Sequence, residues 1–124
     1  MDAPFRILAV DNEPSVTLSL KYVFANPRYE IICVENGAAA LALLDADAKA
    51  CDVIIVDQKM PSLTGVELVD AIRKRRIPGK IIILSAHLSP EVREAYLQLD
   101  VDAIFSKPFD LTELRAAVDS LVAA

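Results

Sequence analysis

Short apolar segments alternate along the chain with longer stretches of mixed polarity. Segments of this length that are rich in β-branched residues and apolar on both faces are typical of a parallel sheet covered by helices on each side. The pattern therefore predicts a buried sheet of five strands. These are Ile7–Val10, Ile31–Val34, Val53–Val56, Ile81–Leu84 and a weaker one at Ala103–Phe105.

The stretches between the strands carry apolar residues at the spacing of a helix face. The stripes are Val16, Leu20, Val23 and Phe24; Leu41, Leu44 and Ala48; Leu68, Val69 and Ile72; Val92, Ala95, Tyr96 and Leu99; and Leu111, Leu114, Val118 and Leu121. Thr64 and Glu67 have the spacing of a capping box, and Asp110 repeats it with Glu113. This alternation, with right-handed crossovers, predicts a doubly wound (βα)5 three-layer α/β sandwich, and we expect a flavodoxin-like parallel sheet of order 2-1-3-4-5.

Length, composition and charge restrict the class of protein further. The 124 residues are 54% hydrophobic and 25% charged, which predicts one globular domain over 1–124 and excludes disordered classes. The longest apolar run, Ala38 to Leu44, is far too short for a membrane helix, so we expect a cytoplasmic protein without membrane contact. The net charge of −5 argues against direct nucleic-acid binding, and the basic run at 73–76 fits a solvated helix terminus. Cys33 and Cys51 lack CxxC spacing and are expected to be reduced.

Polar residues follow the carboxyl ends of four predicted strands. In an open parallel sheet, ligands bind beyond these ends, so we expect the side chains to converge. They are Asp11, Asn12 and Glu13 after the first strand, Asp57 after the third, Ser85 after the fourth and Lys107 after the fifth.

Carboxylates, a hydroxyl and a lysine gathered at one point have a coherent chemical use. Two close carboxylates repel each other unless a cation lies between them, and oxygen ligands alone favour Mg²⁺ or Mn²⁺ over zinc. A carboxylate is also a nucleophile toward phosphorus, which gives an aspartyl phosphate. The phosphoryl oxygens then need a metal ion, an ammonium group and a hydrogen-bond donor, and these strand ends supply groups for all three.

Four segments of the chain, taken together and in order, resemble the response-regulator receiver domain of two-component signalling. Any one of them alone is a weak signal, whereas all four within a (βα)5 pattern of this length are a strong one. The resemblance covers essentially the whole chain. The segments are Ile7–Pro14, Val56–Pro61 with Gly65 following, Ile83–Ala86 and Ser106–Phe109.

The resemblance implies a role for each strand-end residue. Asp57 is expected to accept a phosphoryl group from a phosphohistidine on a sensor histidine kinase or phosphotransfer protein. Asp11, Asp57 and the main-chain carbonyl of Lys59 are expected to hold Mg²⁺ or Mn²⁺. Ser85 and Lys107 are expected to bind the phosphoryl group, and the peptide bond after Lys107 is expected to be cis.

The resemblance also implies a signalling role rather than an enzymatic one, with at most weak autophosphatase activity. Phosphorylation is expected to remodel a face formed by the fourth helix, fifth strand and fifth helix, which binds an output domain, a downstream protein or a second copy of the chain. Lys59 and His87 lie two residues beyond the acceptor and the hydroxyl. Similar domains tune the lifetime of the phosphoryl group at these two positions.

The chain departs from the family pattern in ways that leave an alternative open. Receivers usually carry a second acid where Asn12 stands, so we expect weaker Mg²⁺ binding, with Asn12 orienting a metal-bound water. Glu13, one position along, could compensate for the missing charge, although its neighbouring position is expected to aim it elsewhere. The aromatic switch position holds Ile104, and Phe105 falls on the opposite face of the strand. The alternative is a pseudo-receiver that binds partners without phosphorylation.

An enzymatic interpretation, an aspartate-nucleophile phosphohydrolase on a similar sheet, is less consistent with the residues. Such enzymes tend to carry a second acid two residues beyond the nucleophile, where it serves as general acid. Here that position is Lys59.

Overall fold

The computed structural model describes residues 3–123, in which five strands alternate with five helices. The strands are β1 (Phe5–Val10), β2 (Tyr29–Val34), β3 (Val53–Asp57), β4 (Lys80–Ser85) and β5 (Ala103–Ser106). The helices are α1 (Pro14–Val23), α2 (Gly37–Ala46), α3 (Gly65–Lys74), α4 (Pro90–Gln98) and α5 (Leu111–Ala123). Every predicted strand is present, and the predicted fold class is confirmed.

The strands form one parallel sheet in the order β2-β1-β3-β4-β5, as expected. The chain passes from β1 outward to β2 and then returns to the other side of β1 with β3. The direction of winding therefore reverses between β1 and β3. In open α/β sheets, the crevice at the carboxyl ends of two such strands is the place where ligands bind.

Two hydrophobic layers cover the two faces of the sheet. Helices α2, α3 and α4 pack on one face against side chains such as Ile54 and Val56, and we call this the α2–α4 layer. Helices α1 and α5 pack on the other face against Ile55 and Leu84, and we call this the α1–α5 layer. Successive residues of β3 thus enter opposite layers, as the two-residue period of a strand requires. Burial on both faces explains why the strands are apolar throughout.

Helix starts follow the predicted capping signals. The Thr64 hydroxyl accepts the main-chain N–H of Glu67 at 3.3 Å, and the Glu67 carboxylate accepts that of Thr64 at 3.0 Å, which completes the capping box of α3. Before α5, the Asp110 carboxylate accepts the main-chain N–H of Glu113 at 3.0 Å. Each contact satisfies a main-chain donor that a helix start leaves free.

One helix is shorter than its apolar stripe predicts. The stripe extends to Ala48, but α2 ends at Ala46, so this part of the prediction is wrong. Asp47 adopts an extended backbone with φ of −152°. Its side chain accepts the main-chain N–H of Lys49 at 3.0 Å. The aspartate therefore forms a local turn that competes with the helix.

The basic run at the end of α3 is engaged within the fold. The Arg73 guanidinium donates to the carbonyls of Leu99 at 2.9 Å and Asp100 at 2.8 Å, just past the end of α4. Arg75 forms an ion pair with Asp45 at 2.8 Å. These contacts give the run a structural role that requires no nucleic-acid partner.

Candidate functional site

The carboxyl edge of the sheet brings Asp11 and Asp57 together. Asp57 is the last residue of β3, and Asp11 directly follows the neighbouring strand β1. Val10 and Val56 are register partners, so the two aspartates leave adjacent strands at the same level. Each aspartate is only 3% exposed. Buried carboxylates are rare and require partners, which marks this edge of the sheet.

Lys107 supplies positive charge between the two aspartates. Its Nζ lies 3.2 Å from Asp11 Oδ2 and 3.2 Å from Asp57 Oδ1, and its side chain is 12% exposed. The Lys107 main-chain N–H donates to the Ser85 carbonyl at 2.7 Å, which joins the end of β5 to that of β4. The Lys107–Pro108 bond is cis, as the resemblance implies. Asp11, Asp57 and Lys107, three of the strand-end residues predicted to converge, therefore do so.

Glu13 also belongs to this cluster, and the expectation that it points elsewhere is wrong. Its Oε1 accepts from Lys107 Nζ at 2.9 Å, although its side chain is 54% exposed. The cause is a local turn in which Asp11 Oδ1 accepts the main-chain N–H of Glu13 at 2.8 Å. An aspartate two residues ahead, followed by the helix-starting Pro14, is a turn signal that the sequence contains. It could have located Glu13.

The cluster shifts the pKa of two of its members. Burial raises the pKa of Asp57, and the charge of Asp11 raises it further, against opposition from Lys107 and the main-chain amide of Lys59. Burial alone would lower the pKa of Lys107, but its hydrogen bond to Glu13 and the charges of Asp11 and Asp57 outweigh burial and raise it. Lys107 is therefore a stable ammonium group, whereas the ionised form of Asp57 is disfavoured.

The oxygen donors of the cluster suit a hard divalent cation. Asp11, Glu13 and Asp57 each offer a carboxylate oxygen, and these atoms lie within 4.8 Å of one another. Among residues 3–123, Lys107 is the cation in ion-pair contact with these three carboxylates, so the paired groups carry an excess of negative charge. Oxygen ligands of this kind favour Mg²⁺ or Mn²⁺, and the predicted donor chemistry fits the residues present. Asn12 is exposed and, together with Glu13 and Asp57, lines an open cleft at this edge of the sheet.

An open cleft of about 420 Å³ gives access to Asp57, and Ser85, Lys59 and His87 line it. The buried Ser85 hydroxyl donates to the His87 carbonyl at 2.9 Å and accepts the His87 N–H at 3.3 Å. Lys59 and His87 are exposed at the rim. The structure thus places a hydroxyl and two basic side chains around the cleft that contains the buried carboxylate.

Ile104, at the aromatic switch position of β5, and the neighbouring Phe105 lie on opposite faces of the sheet, as predicted. Ile104 packs in the α2–α4 layer and Phe105 in the α1–α5 layer. Their register partners on β4 are Ile83 and Leu84, respectively. The aromatic ring of Phe105 therefore lies on the side of the sheet away from α4.

Sequence reasoning missed a polar contact on the α4 side of the sheet. Tyr96 is fully buried, and its hydroxyl donates to the side-chain oxygen of Gln58, the residue directly after Asp57. Tyr96 belongs to the apolar stripe predicted for the fourth helix, and the structure buries it in the core. A buried tyrosine hydroxyl requires a hydrogen-bond partner, which is the signal that could have pointed to this contact.

Comparison with known proteins agrees with the fold. The family model described as the response regulator receiver domain matches residues 7–119. The alkaline phosphatase synthesis transcriptional regulatory protein PhoP of Bacillus subtilis is 29% identical over 117 residues, a match that covers 94% of this chain and 48% of PhoP. The sporulation initiation phosphotransferase F of the same organism is 27% identical, and the match covers 91% of this chain and 90% of that protein.

Solved structures lead to the same family. The receiver domain of the Francisella response regulator 1452 superposes with a TM-score of 0.84 at 31% identity, and the match covers 94% of each chain. The chain spans about half the length of PhoP. Within residues 3–123, none of the helices has the length and apolar character needed to cross a membrane. The family match, the sheet order and the paired aspartates at its switch point show that this chain belongs to the response regulator receiver domains of two-component signalling.

Proposed function

We propose that Asp57 accepts a phosphoryl group in a Mg²⁺-dependent reaction and that the chain acts as a phosphorylation switch. The observation that carries this proposal is the position of Asp57 itself. Its carboxylate is buried at the switch point of the sheet, beside Asp11 and 3.2 Å from the ammonium group of Lys107, and it opens onto a cleft. Asp57 shares one ammonium group with a second buried carboxylate, so the pair favours the binding of a further cation. A carboxylate can also act as a nucleophile toward phosphorus.

The phosphodonor in this proposal is a phosphohistidine on a sensor histidine kinase or phosphotransfer protein. An Asp57 carboxylate oxygen forms the new bond to phosphorus as the bond from phosphorus to the imidazole nitrogen breaks. The electron pair of the broken bond stays with the imidazole, which leaves, and Asp57 becomes an acyl phosphate. Bound Mg²⁺ would supply positive charge for the phosphoryl oxygens. It would be held by Asp11, Asp57 and the main-chain carbonyl of Lys59.

The chain's own residues contribute the remaining interactions. The Lys107 ammonium group, already in contact with Asp57, stabilises negative charge on the phosphoryl oxygens. The Ser85 hydroxyl donates to them once it turns away from the His87 carbonyl that it contacts at 2.9 Å. At the cleft rim, Lys59 and His87 influence access of water to the acyl phosphate and hence its lifetime.

The surface that changes in this proposal is formed by α4, β5 and α5, and it binds an output domain or a downstream protein. PhoP is named as a transcriptional regulatory protein and is about twice as long as this chain. Sporulation initiation phosphotransferase F, in contrast, is nearly matched in full. Both kinds of relative are compatible with a switch whose output lies in another domain or another protein.

The direct test is phosphorylation with a small-molecule donor. Incubation with acetyl phosphate and Mg²⁺ is expected to add the mass of one phosphoryl group, measured on the intact protein, and chelation of Mg²⁺ should prevent the gain. Asp57→Asn should abolish the gain. Asp52→Asn, a matched change at an exposed aspartate before β3, should leave it intact. Retained phosphorylation in Asp57→Asn would place the acceptor elsewhere.

Asn12 and Ile104 favour a second candidate, the pseudo-receiver that binds partners without phosphorylation. Asn12 removes one carboxylate from the cleft, and Ile104 removes an aromatic side chain from the switch position. The same mass measurement separates the candidates. No mass gain in the wild type, together with no Mg²⁺-dependent response to beryllofluoride, would favour the pseudo-receiver.

A further inference from the structure

Tyr96 connects α4 to the residue that follows the acceptor. It lies in α4, is fully buried in the α2–α4 layer, and donates its hydroxyl hydrogen to Gln58 Oε1. Gln58 is bonded covalently to Asp57, so a single side-chain contact joins α4 to the acceptor position. The aromatic switch position on β5 holds Ile104, which cannot make a polar contact of this kind.

Gln58 is held by hydrogen bonds to several elements at once. Its main-chain N–H donates to the Leu84 carbonyl of β4 at 3.2 Å, and its main-chain carbonyl accepts the N–H of Gly65 at 3.0 Å. Its side-chain oxygen accepts the N–H of Val66 at 3.2 Å in addition to the Tyr96 hydroxyl. A displacement at Asp57 therefore reaches β4, the start of α3 and α4 through this one residue.

The space for the Tyr96 hydroxyl depends on a glycine. A Cβ at Gly65 would overlap the Tyr96 hydroxyl, and it would lie 2.9 Å from the carbonyl oxygen of Asp57 and 2.9 Å from Gln58 Cα. The phenol thus fits closely against the backbone that carries the acceptor. Close packing of this kind transmits small displacements, because protein interiors have little free volume.

The Tyr96 hydroxyl also lies within electrostatic reach of the acceptor. Burial raises the pKa of Tyr96 well above that of a free phenol, and the negative charge of Asp57 raises it further. The hydroxyl therefore stays protonated and remains a hydrogen-bond donor. A change in charge at Asp57 alters the field at this donor without changing its protonation.

We propose that Tyr96 is a positioning residue that couples the chemical state of Asp57 to the orientation of α4 through Gln58. Triggering of this coupling by a phosphoryl group on Asp57 rests on the proposed function. The coupling itself is also expected to respond to substitution of Asp57. The coupling reaches the surface through Leu97, the next residue of α4, which is 57% exposed. A shift of α4 therefore changes an apolar contact available to partners.

Fluorine NMR tests the coupling on the native side chain. The chain has three tyrosines, so 3-fluorotyrosine labelling gives three resonances, and the Tyr22→Phe and Tyr29→Phe variants identify the third as Tyr96. Asp57→Asn is expected to shift the Tyr96 resonance. The same is expected of acetyl phosphate with Mg²⁺ added to the wild type. Tyr29 is the matched control for Asp57→Asn, because it is also buried and hydrogen bonded, to Asp119, but in the α1–α5 layer.

The outcomes separate the coupling from phosphorylation. An unmoved Tyr96 resonance in Asp57→Asn, and in wild type whose mass shows a bound phosphoryl group, would overturn the coupling. A shift in Asp57→Asn without any mass gain of the wild type would support the coupling and overturn the proposed phosphorylation.

Hydrogen exchange tests whether the Tyr96 hydroxyl carries the coupling. Asp57→Asn is expected to change amide exchange in residues 90–98 several-fold. The change should disappear in the Tyr96→Phe background and persist in the Tyr29→Phe background. If Tyr96→Phe does not fold, Gln58→Met removes the side-chain oxygen that accepts the Tyr96 hydrogen bond. This variant should then abolish the same response. An equal response to Asp57→Asn in all backgrounds would overturn the role of Tyr96.

Discussion

Aspartates lie at both ends of the same sheet and have different environments. Near the amino ends of the strands, Asp52 Oδ2 accepts the main-chain N–H of Arg6 at 2.8 Å, and Asp102 Oδ2 accepts that of Ile81 at 2.8 Å. Both of these aspartates are exposed. At the carboxyl ends, Asp11 and Asp57 are buried and share the ammonium group of Lys107.

The difference shows how position decides what a carboxylate does. A solvated carboxylate that accepts a main-chain amide stabilises the start of a neighbouring strand. Two buried carboxylates that share one ammonium group retain excess negative charge and gain from any further cation. The aspartates at the amino end of the sheet thus stabilise it, whereas the buried aspartates at the carboxyl end lower its stability unless cations compensate their charge.

Removal of Lys107 should have the largest effect. Lys107→Ala leaves Asp11 and Asp57 buried without a cation, which is expected to cost roughly 3 kcal/mol of unfolding free energy. Urea unfolding without Mg²⁺ measures this loss, and Mg²⁺ should restore more stability to the variant than to the wild type. Lys80→Ala, at the exposed amino end of β4, is the control. Equal unfolding free energies for Lys107→Ala and Lys80→Ala would contradict the proposed difference between the buried carboxyl end and the exposed amino end of the sheet.

Asp57→Asn should stabilise the fold at neutral pH. The pKa of Asp57 is raised in the folded protein by burial and by Asp11, so its ionisation lowers stability as the pH rises through the folded pKa. We expect Asp57→Asn to have a Tm a few degrees higher at pH 7 without Mg²⁺. The difference should shrink as the pH falls toward the range in which a free aspartate is protonated. A difference that stays constant with pH would contradict this account.

At the amino end of the sheet, removal of an aspartate should lower the stability of the fold, in contrast to Asp57→Asn. Asp102→Ala removes the acceptor for the Ile81 main-chain N–H and is expected to lower the unfolding free energy by roughly 0.5–1 kcal/mol, measured by urea unfolding. Asp102→Asn retains an acceptor oxygen and should lose less. Mg²⁺ affinity should be unchanged in both variants, and a weaker affinity would show that the two ends are not independent.

The smallest effect is expected for Glu13. Its carboxylate lies in the acidic cluster but is half exposed, so Glu13→Gln should weaken Mg²⁺ binding by only about threefold, measured by titration. Glu35→Gln, an exposed glutamate that follows β2, is the matched control. No change in Mg²⁺ affinity for Glu13→Gln would exclude its carboxylate from the metal site.

The fold could be predicted because its signals are local and repeated. Each strand is apolar on both faces, and this requires helices on both sides of the sheet. Strand ends were harder to place. β1 and β2 each begin two residues earlier than predicted and include the exposed Arg6 and Glu30, which interrupt the apolar pattern. Hydrogen bonding between paired strands, rather than side-chain burial, extends them.

The site could be predicted in part for a related reason. Asp11, Asp57 and Lys107 follow strands, and the topology of a parallel sheet places strand ends together. The direction of Glu13 depends on one side-chain to main-chain hydrogen bond. The contact of Tyr96 with Gln58 joins residues 38 positions apart. Such a contact depends on how α4 packs against the loop that follows β3, and hydrophobic periodicity carries no information about it.

The Arg73 contacts hold the carboxyl end of α4. Its guanidinium group binds the Leu99 and Asp100 carbonyls at the carboxyl end of that helix. The opposite end begins after an exposed loop at residues 86–87 that borders the cleft. Because Arg73 holds the carboxyl end, a displacement beside Asp57 is expected to move the amino end of α4, next to this loop, more than its carboxyl end.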